Sequence, residues 1–356
     1  MKKNRAMEFY RFAAAVMILC YHCYWFAFRD DGTQFIGFYL FVELFFILSG
    51  FLMMASVRAH VTDEMRLCPA KTTAIYMRGR LRQIYPHHLL SWIIVAAESL
   101  FLVKTIWPIE LFKIGIPELL LVNIFGFICN EYINIVCWYL SGLVFASLIL
   151  YYLAVRCEKT FIKIIAPIII VFCYGTIFSR KWSLATTIMF MRTAPFLGFM
   201  RSLADMTVGC VCYVLYERLK DTELPMEDIL STVTEGAVML ASAVYMYGHS
   251  GKWDFAFVPM FAVFVISVFR GKSLFTKLFD NSVSEWLGRQ SFAYFLNNIV
   301  VIYPVMYLFP NIDIFGMCLI CVPTCLVFSV ISGNLLKKFT DYLEARKSAV
   351  AISSEN

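Results

Sequence analysis

Arg11 and His22 stand in one apolar run, RFAAAVMILCYHCYWF, with ten residues between them. An imidazole inside such a run can take up and return a proton, and a guanidinium can hold an anion. On a helix, eleven steps of about 100° return to within about 20° of the start, with a rise of about 16 Å. The two side chains therefore line one face. Ala14 and Ala15 lie between them and leave room for a ligand along the helix. Simpler readings exist: an arginine anchored at a membrane boundary, and a histidine in an interhelical hydrogen bond. The shared face favours a joint chemical role.

Other polar residues interrupt apolar segments. Ionisable groups at membrane depth are costly unless paired or solvated, so each is a candidate. Glu43, in FVELFFILSGFLMMAS, would fix the tautomer of His22 and stabilise its charged form if it lay beside it. Otherwise it is a protonated group in a helix contact. In YMRGRLRQIYPHHLLSW, Arg78, Arg80 and Arg82 form either a topology signal or a site for a cofactor with several phosphates. Trp138, Tyr139 and Ser141 in CWYLSG read as a pocket wall or an aromatic girdle. Arg201 and Asp205 sit one turn apart, as an intrahelical pair or a ligand contact. Asn297 and Asn298 would bridge helices or touch substrate.

The elements that position these groups must be membrane helices. Of the 356 residues, 60% are hydrophobic and only 16% charged, against about a quarter charged in soluble domains. Mean hydropathy is +0.72 over the whole chain. The net charge of +6 does not point to nucleic acid, because the cations fall in short clusters between apolar runs. Most of the 12 cysteines lie inside apolar runs and read as small buried hydrophobes. No spacing resembles a metal site. The basic start MKKNR opens a retained helix rather than a cleaved leader, since no small-residue cleavage site follows.

About 20 apolar residues span a bilayer. That length fits ten runs, at about 8–28, 35–56, 83–104, 132–154, 161–178, 194–216, 229–248, 253–270, 289–309 and 313–335. The stretch 110–129, with Glu110, Lys113, Pro117 and Glu118, reads as re-entrant or interfacial. With both termini in the cytoplasm, only Arg29, Lys104, Lys113, Arg180, Lys181, Arg192, Arg201 and Lys252 of the 31 Lys and Arg fall outside. The expected fold class is thus an all-α polytopic membrane protein of about ten helices. Residues 1–340 would form one transmembrane domain and 341–356 a short polar cytoplasmic tail.

In this order the motifs resemble membrane-bound acyltransferase family three, the polytopic O-acyltransferases that modify bacterial surface glycans. The resemblance runs from Arg11 to about Tyr303. Its most specific element is arginine–ten residues–histidine, met by Arg11 and His22. FVELFFILSGFLM is similar to the family's acidic-x-Phe-Phe-x-x-Ser-Gly-Phe segment, with Glu43 where aspartate is common. RLRQIYP, WYLS, the Arg-x-x-x-acidic-x-x-x-Gly of Arg201 to Gly209, and LGRQSFAYFLNN follow in family order. Gln83 replaces an expected arginine, and Asn298 stands where many members carry histidine, which weakens a proton-transfer role there. The extracytoplasmic hydrolase-like domain of two-domain members is not expected.

The resemblance implies transfer of an acyl group, usually acetyl, from cytoplasmic acetyl-CoA or another short acyl-CoA to a sugar hydroxyl, with no metal. It implies that His22 is catalytic and that Arg11 serves the donor. Glu43 would orient His22, while Arg78, Arg80 and Arg82 hold the donor phosphates. Trp138, Tyr139, Ser141, Arg201 and Asn298 would meet the substrate. The implied partners are membrane lipid and a glycan or lipid-linked sugar, in a bacterial inner membrane, with a homo-oligomer left open and nucleic acid excluded. A transporter or flippase would use midplane polar residues equally well, but the internal repeat usual there is missing. A catalytically inactive scaffold is the other alternative.

Overall fold

The computed structural model describes residues 4–27, 34–125, 132–185, 197–223, 225–249 and 251–354, with side chains described as far as Tyr342. Arg29, Arg192 and the end of the 110–129 stretch lie outside the described residues. Those residues form helices α1 (Arg5–Phe26), α2 (Phe41–His60), α3 (Asp63–Leu67), α4 (Pro69–Ala97), α5 (Pro108–Leu119), α6 (Cys137–Thr160) and α7 (Ala166–Lys181). Then follow α8 (Leu197–Leu219), α9 (Glu227–Gly248), α10 (Asp254–Arg270), α11 (Leu274–Phe279), α12 (Ser282–Leu296), α13 (Asn298–Leu308) and α14 (Ile314–Ser354). No strand occurs among the described residues.

Local chemistry starts the helices. Asn4, Thr62, Ser273 and Asn281 each accept a backbone N–H from the first turn of α1, α3, α11 and α12 respectively, the side-chain cap that free helix-start donors require. Asn4 also donates to the Val268 carbonyl at 2.8 Å, which ties the start of α1 to the end of α10.

Among the described residues, five stretches are long and apolar enough to cross a membrane, and a sixth arises if α12 and α13, bent by 63°, count as one. They are Phe38–His60, Cys137–Lys181, Leu197–Leu219, Glu227–Gly248 and Ile314–Tyr342. α1 and α4 enter their apolar runs through charged turns, Arg5, Glu8 and Arg11 in one and Arg78, Arg80 and Arg82 in the other. The outer faces of α7 and α14 show Ile168, Val171, Phe172, Leu319 and Val327. Such a belt is unstable in water and natural against lipid.

α5 has 12 residues, about 18 Å at 1.5 Å per residue, too short to cross a core of about 30 Å. Buried Glu118 anchors it, accepting Trp92 Nε1 at 3.0 Å, Ile133 N at 3.0 Å and Asn134 N at 3.2 Å. At the other end of the chain, α14 carries the polar tail onward as helix as far as Ser354.

α2 and α8 form the tightest pair. A Cβ at Gly50 would lie 1.9 Å from the Met206 carbonyl oxygen, and one at Gly209 would lie 2.0 Å from that of Ile47. Only glycine permits this approach, and it explains the glycine in each motif. The contact brings Glu43, seven residues before Gly50, level with Arg201, eight before Gly209.

Candidate active site

α1 places Arg11 and His22 on the walls of two neighbouring cavities. Arg11 lines one of about 440 Å³, with Ser49, Arg80, Gln83 and Tyr139. His22 lines one of about 330 Å³, with Tyr39, Trp138 and Arg201. Phe295 belongs to both walls.

The orientation of His22 comes from α13. Asn298, its first residue, lies with Nδ2 3.1 Å from His22 Nδ1. Among the described residues no hydrogen bond takes up Nε2. An amide can present either its oxygen or its nitrogen to a ring, so Asn298 can receive an Nδ1 proton and leave Nε2 as the basic nitrogen. The break between α12 and α13 puts Asn298 there. It frees the Leu296 carbonyl, which accepts Ser91 Oγ at 2.6 Å and Asn134 Nδ2 at 3.4 Å. Asn297 turns the other way, donating to Ser332 Oγ at 3.2 Å.

Glu43, expected beside His22, instead grips Arg201. Oε1 accepts Arg201 Nε at 2.6 Å and Oε2 accepts Nη2 at 2.7 Å, with both side chains buried. A buried carboxylate finds its strongest partner in a two-pronged guanidinium, and the glycine contact delivers one. Arg201 also donates to the Tyr39 carbonyl at 3.2 Å and lies over the rings of Tyr39 and Trp138. The intrahelical pairing of Arg201 with Asp205 is therefore not formed. Asp205 Oδ1 accepts the Tyr174 hydroxyl at 2.5 Å instead.

The three arginines of α4 part company. Arg80 lines the Arg11 cavity, and its buried Nε has no hydrogen-bond partner among the described residues. Arg78 and Arg82 are exposed and absent from that wall. Two helical steps turn by about 200°, so alternate residues cannot face one ligand together. Arg11 is paired with Glu8 at 3.0 Å. Trp138 and Tyr139 also separate: Trp138 faces the His22 cavity and Tyr139 the Arg11 cavity. Ser141 reaches neither; its hydroxyl donates to Asn123 Oδ1 and fixes the 123–125 turn to α6.

Sequence reasoning passed over Asp254. This buried carboxylate accepts the hydroxyls of Tyr39, Ser183 and Tyr245 and the backbone N–H of Leu184 and Gly251. It thereby braces Tyr39, whose carbonyl and ring meet Arg201. Its place in the first turn of α10 signals a helix-start acid, and nothing local announces distant tyrosines. Phe295 was equally silent, one aromatic among many.

Fold and site together define a multi-pass, all-helical membrane protein with a buried imidazole between a basic cavity and an aromatic one. The chain belongs to acyltransferase family three, whose acyltransferase domain matches residues 4–333. It is a membrane acyltransferase. No curated protein and no solved structure matches it. Among the described residues, no three His, Cys, Asp or Glu side chains gather as a metal site would require.

Proposed function

We propose that this chain is an O-acyltransferase moving acetyl from cytoplasmic acetyl-CoA to a hydroxyl of a cell-surface or lipid-linked glycan. It crosses the bacterial inner membrane ten times, with both termini inside. The donor enters the Arg11 cavity, where Arg80 and Arg11 hold its phosphates and Tyr139 flanks the pantetheine arm. The acceptor enters the His22 cavity, stacking a sugar face on Trp138 and meeting Arg201. His22 Nε2 takes the proton of the acceptor hydroxyl. The oxygen attacks the thioester carbonyl, the C–S bond breaks, and the coenzyme A thiolate takes the proton back from the imidazolium. The products are an ester and free coenzyme A. Asn298 orients His22 and moves no proton itself, since an amide does not titrate.

The observation that carries this reading is the shared wall: among the described residues, an imidazole whose Nε2 takes part in no hydrogen bond stands on one side, and an arginine whose buried Nε has no partner stands on the other. The test uses membrane vesicles in which the cytoplasmic face meets labelled acetyl-CoA. Wild-type chain labels a glycan fraction and His22→Ala does not. Equal labelling by both would end the proposal.

A further inference from the structure

Three aromatic rings from three helices pack together on the wall of the Arg11 cavity, and one of them, Phe295, lines the His22 cavity as well. Phe295 of α12 is buried, with its ring 5.0 Å from that of Tyr139 in α6, edge to face, and 6.0 Å from that of Phe45 in α2. The Tyr139 and Phe45 rings are 6.3 Å apart. Phe45 and Tyr139 line only the Arg11 cavity, and Phe295 lines both. In the reading above the thioester carbonyl comes up to His22 beside this septum, with the acyl tail against the Phe295 ring. The septum is also braced: Leu296, the next residue, has its carbonyl held by Ser91 and Asn134, and Asn298 contacts His22.

We infer that Phe295 is a ruler for the acyl group, stopping the donor cavity at a length that admits a short chain and excludes longer ones. This rests on the acyl-transfer reading above and adds to it the residue that sets substrate class. The ring is a wall and not a binding contact for coenzyme A: the phosphate-binding arginines line the same cavity but come from other helices, α1 and α4. A smaller side chain at position 295 opens the donor cavity toward the other, and each extra methylene then finds room. One methylene in a tight apolar pocket changes discrimination by about tenfold or more.

The experiment measures binding rather than turnover, so it does not depend on His22. S-ethyl-, S-butyl- and S-hexyl-coenzyme A, which cannot transfer their alkyl groups, are titrated into the full-length chain in detergent micelles. Wild type is expected to bind the S-ethyl compound at least tenfold more tightly than the S-hexyl one. Phe295→Leu and Phe295→Ala are expected to erase most of that ratio while keeping S-ethyl affinity within a few-fold, which no general loosening would do. Phe295→Leu keeps the test alive if the alanine variant does not fold. An unchanged ratio in either folded variant overturns the ruler and leaves the acyltransferase reading intact. So does equal binding of all three lengths by wild type, or loss of S-ethyl binding in folded Phe295→Leu. If wild type binds none of the three, the donor site itself is wrong and the ruler falls with it.

Discussion

Replacing Glu43 with glutamine tests whether the buried pair holds the site together. The substitution keeps the shape and a carbonyl oxygen for Arg201 but removes the charge. Both side chains are almost fully excluded from solvent, at 0% and 1%. Asp205 is turned to Tyr174, so the guanidinium would stay buried without a dedicated counter-charge. Breaking such a pair from one side costs about 3–5 kcal/mol, whereas removing both charges in favour of apolar groups of similar volume is often near neutral. Glu43→Gln is therefore expected to destabilise the fold by about 3–5 kcal/mol. Glu43→Gln with Arg201→Met should be milder than the single change, with a coupling energy of about 0.5–3 kcal/mol. The assay is equilibrium unfolding in mixed micelles with SDS as denaturant, on wild type, both single variants and the double. Acyl transfer should remain lost in the double variant, because Arg201 lines the His22 cavity, and this separates stability from activity. A cost below about 1 kcal/mol for Glu43→Gln, or a double variant equal to the sum of the singles, would refute the reasoning.

Three further outcomes are expected. His22→Ala should lower kcat by about 10²–10⁴, the usual span of a general base, while S-ethyl-coenzyme A still binds in calorimetry. Arg80→Ala should raise the donor KM about tenfold, in keeping with about 1.5–3 kcal/mol for a charged hydrogen bond, whereas Arg78→Ala and Arg82→Ala leave donor saturation curves unchanged. Gly209→Ala should cost at least about 1–3 kcal/mol in the same unfolding assay, because its Cβ meets the Ile47 carbonyl and α2 must move off α8.

The eleven-step spacing put Arg11 and His22 on one face of a single helix, because a helix face is a property of one segment, and the two side chains line neighbouring cavities. Contacts between segments were less legible. The Glu43 carboxylate was assigned to the nearest interesting ring, yet its partner is set by the Gly50–Gly209 approach, which depends on two helices far apart in the chain. The α4 arginines show the converse error: local periodicity already separates Arg80 from Arg78 and Arg82, and grouping them by proximity ignored it. Asn298 read as a departure that weakened a proton-transfer role for its helix, and as a substrate contact. Its role as the partner of His22 becomes visible only with the bend at Asn297 that carries it there.

The charges of the two cavities support the proposal that one helix serves two different ligands. At the His22 end the one arginine is already neutralised by Glu43, and the remaining wall is largely aromatic and aliphatic, with Tyr39 and Trp138 beside the ring. That wall suits the uncharged acceptor proposed above, because an anion there would compete with a carboxylate bonded twice to Arg201. At the Arg11 end Arg80 keeps its Nε without a partner among the described residues, which suits the polyphosphate donor proposed above. The Glu8 pairing of Arg11 is a partly exposed ion pair, weak enough for a phosphate to displace. Thus one wall of rings separates a cavity that calls for an anion from one that does not. The proposed placement of the donor on the Arg11 side and of the acceptor on the His22 side rests on that difference.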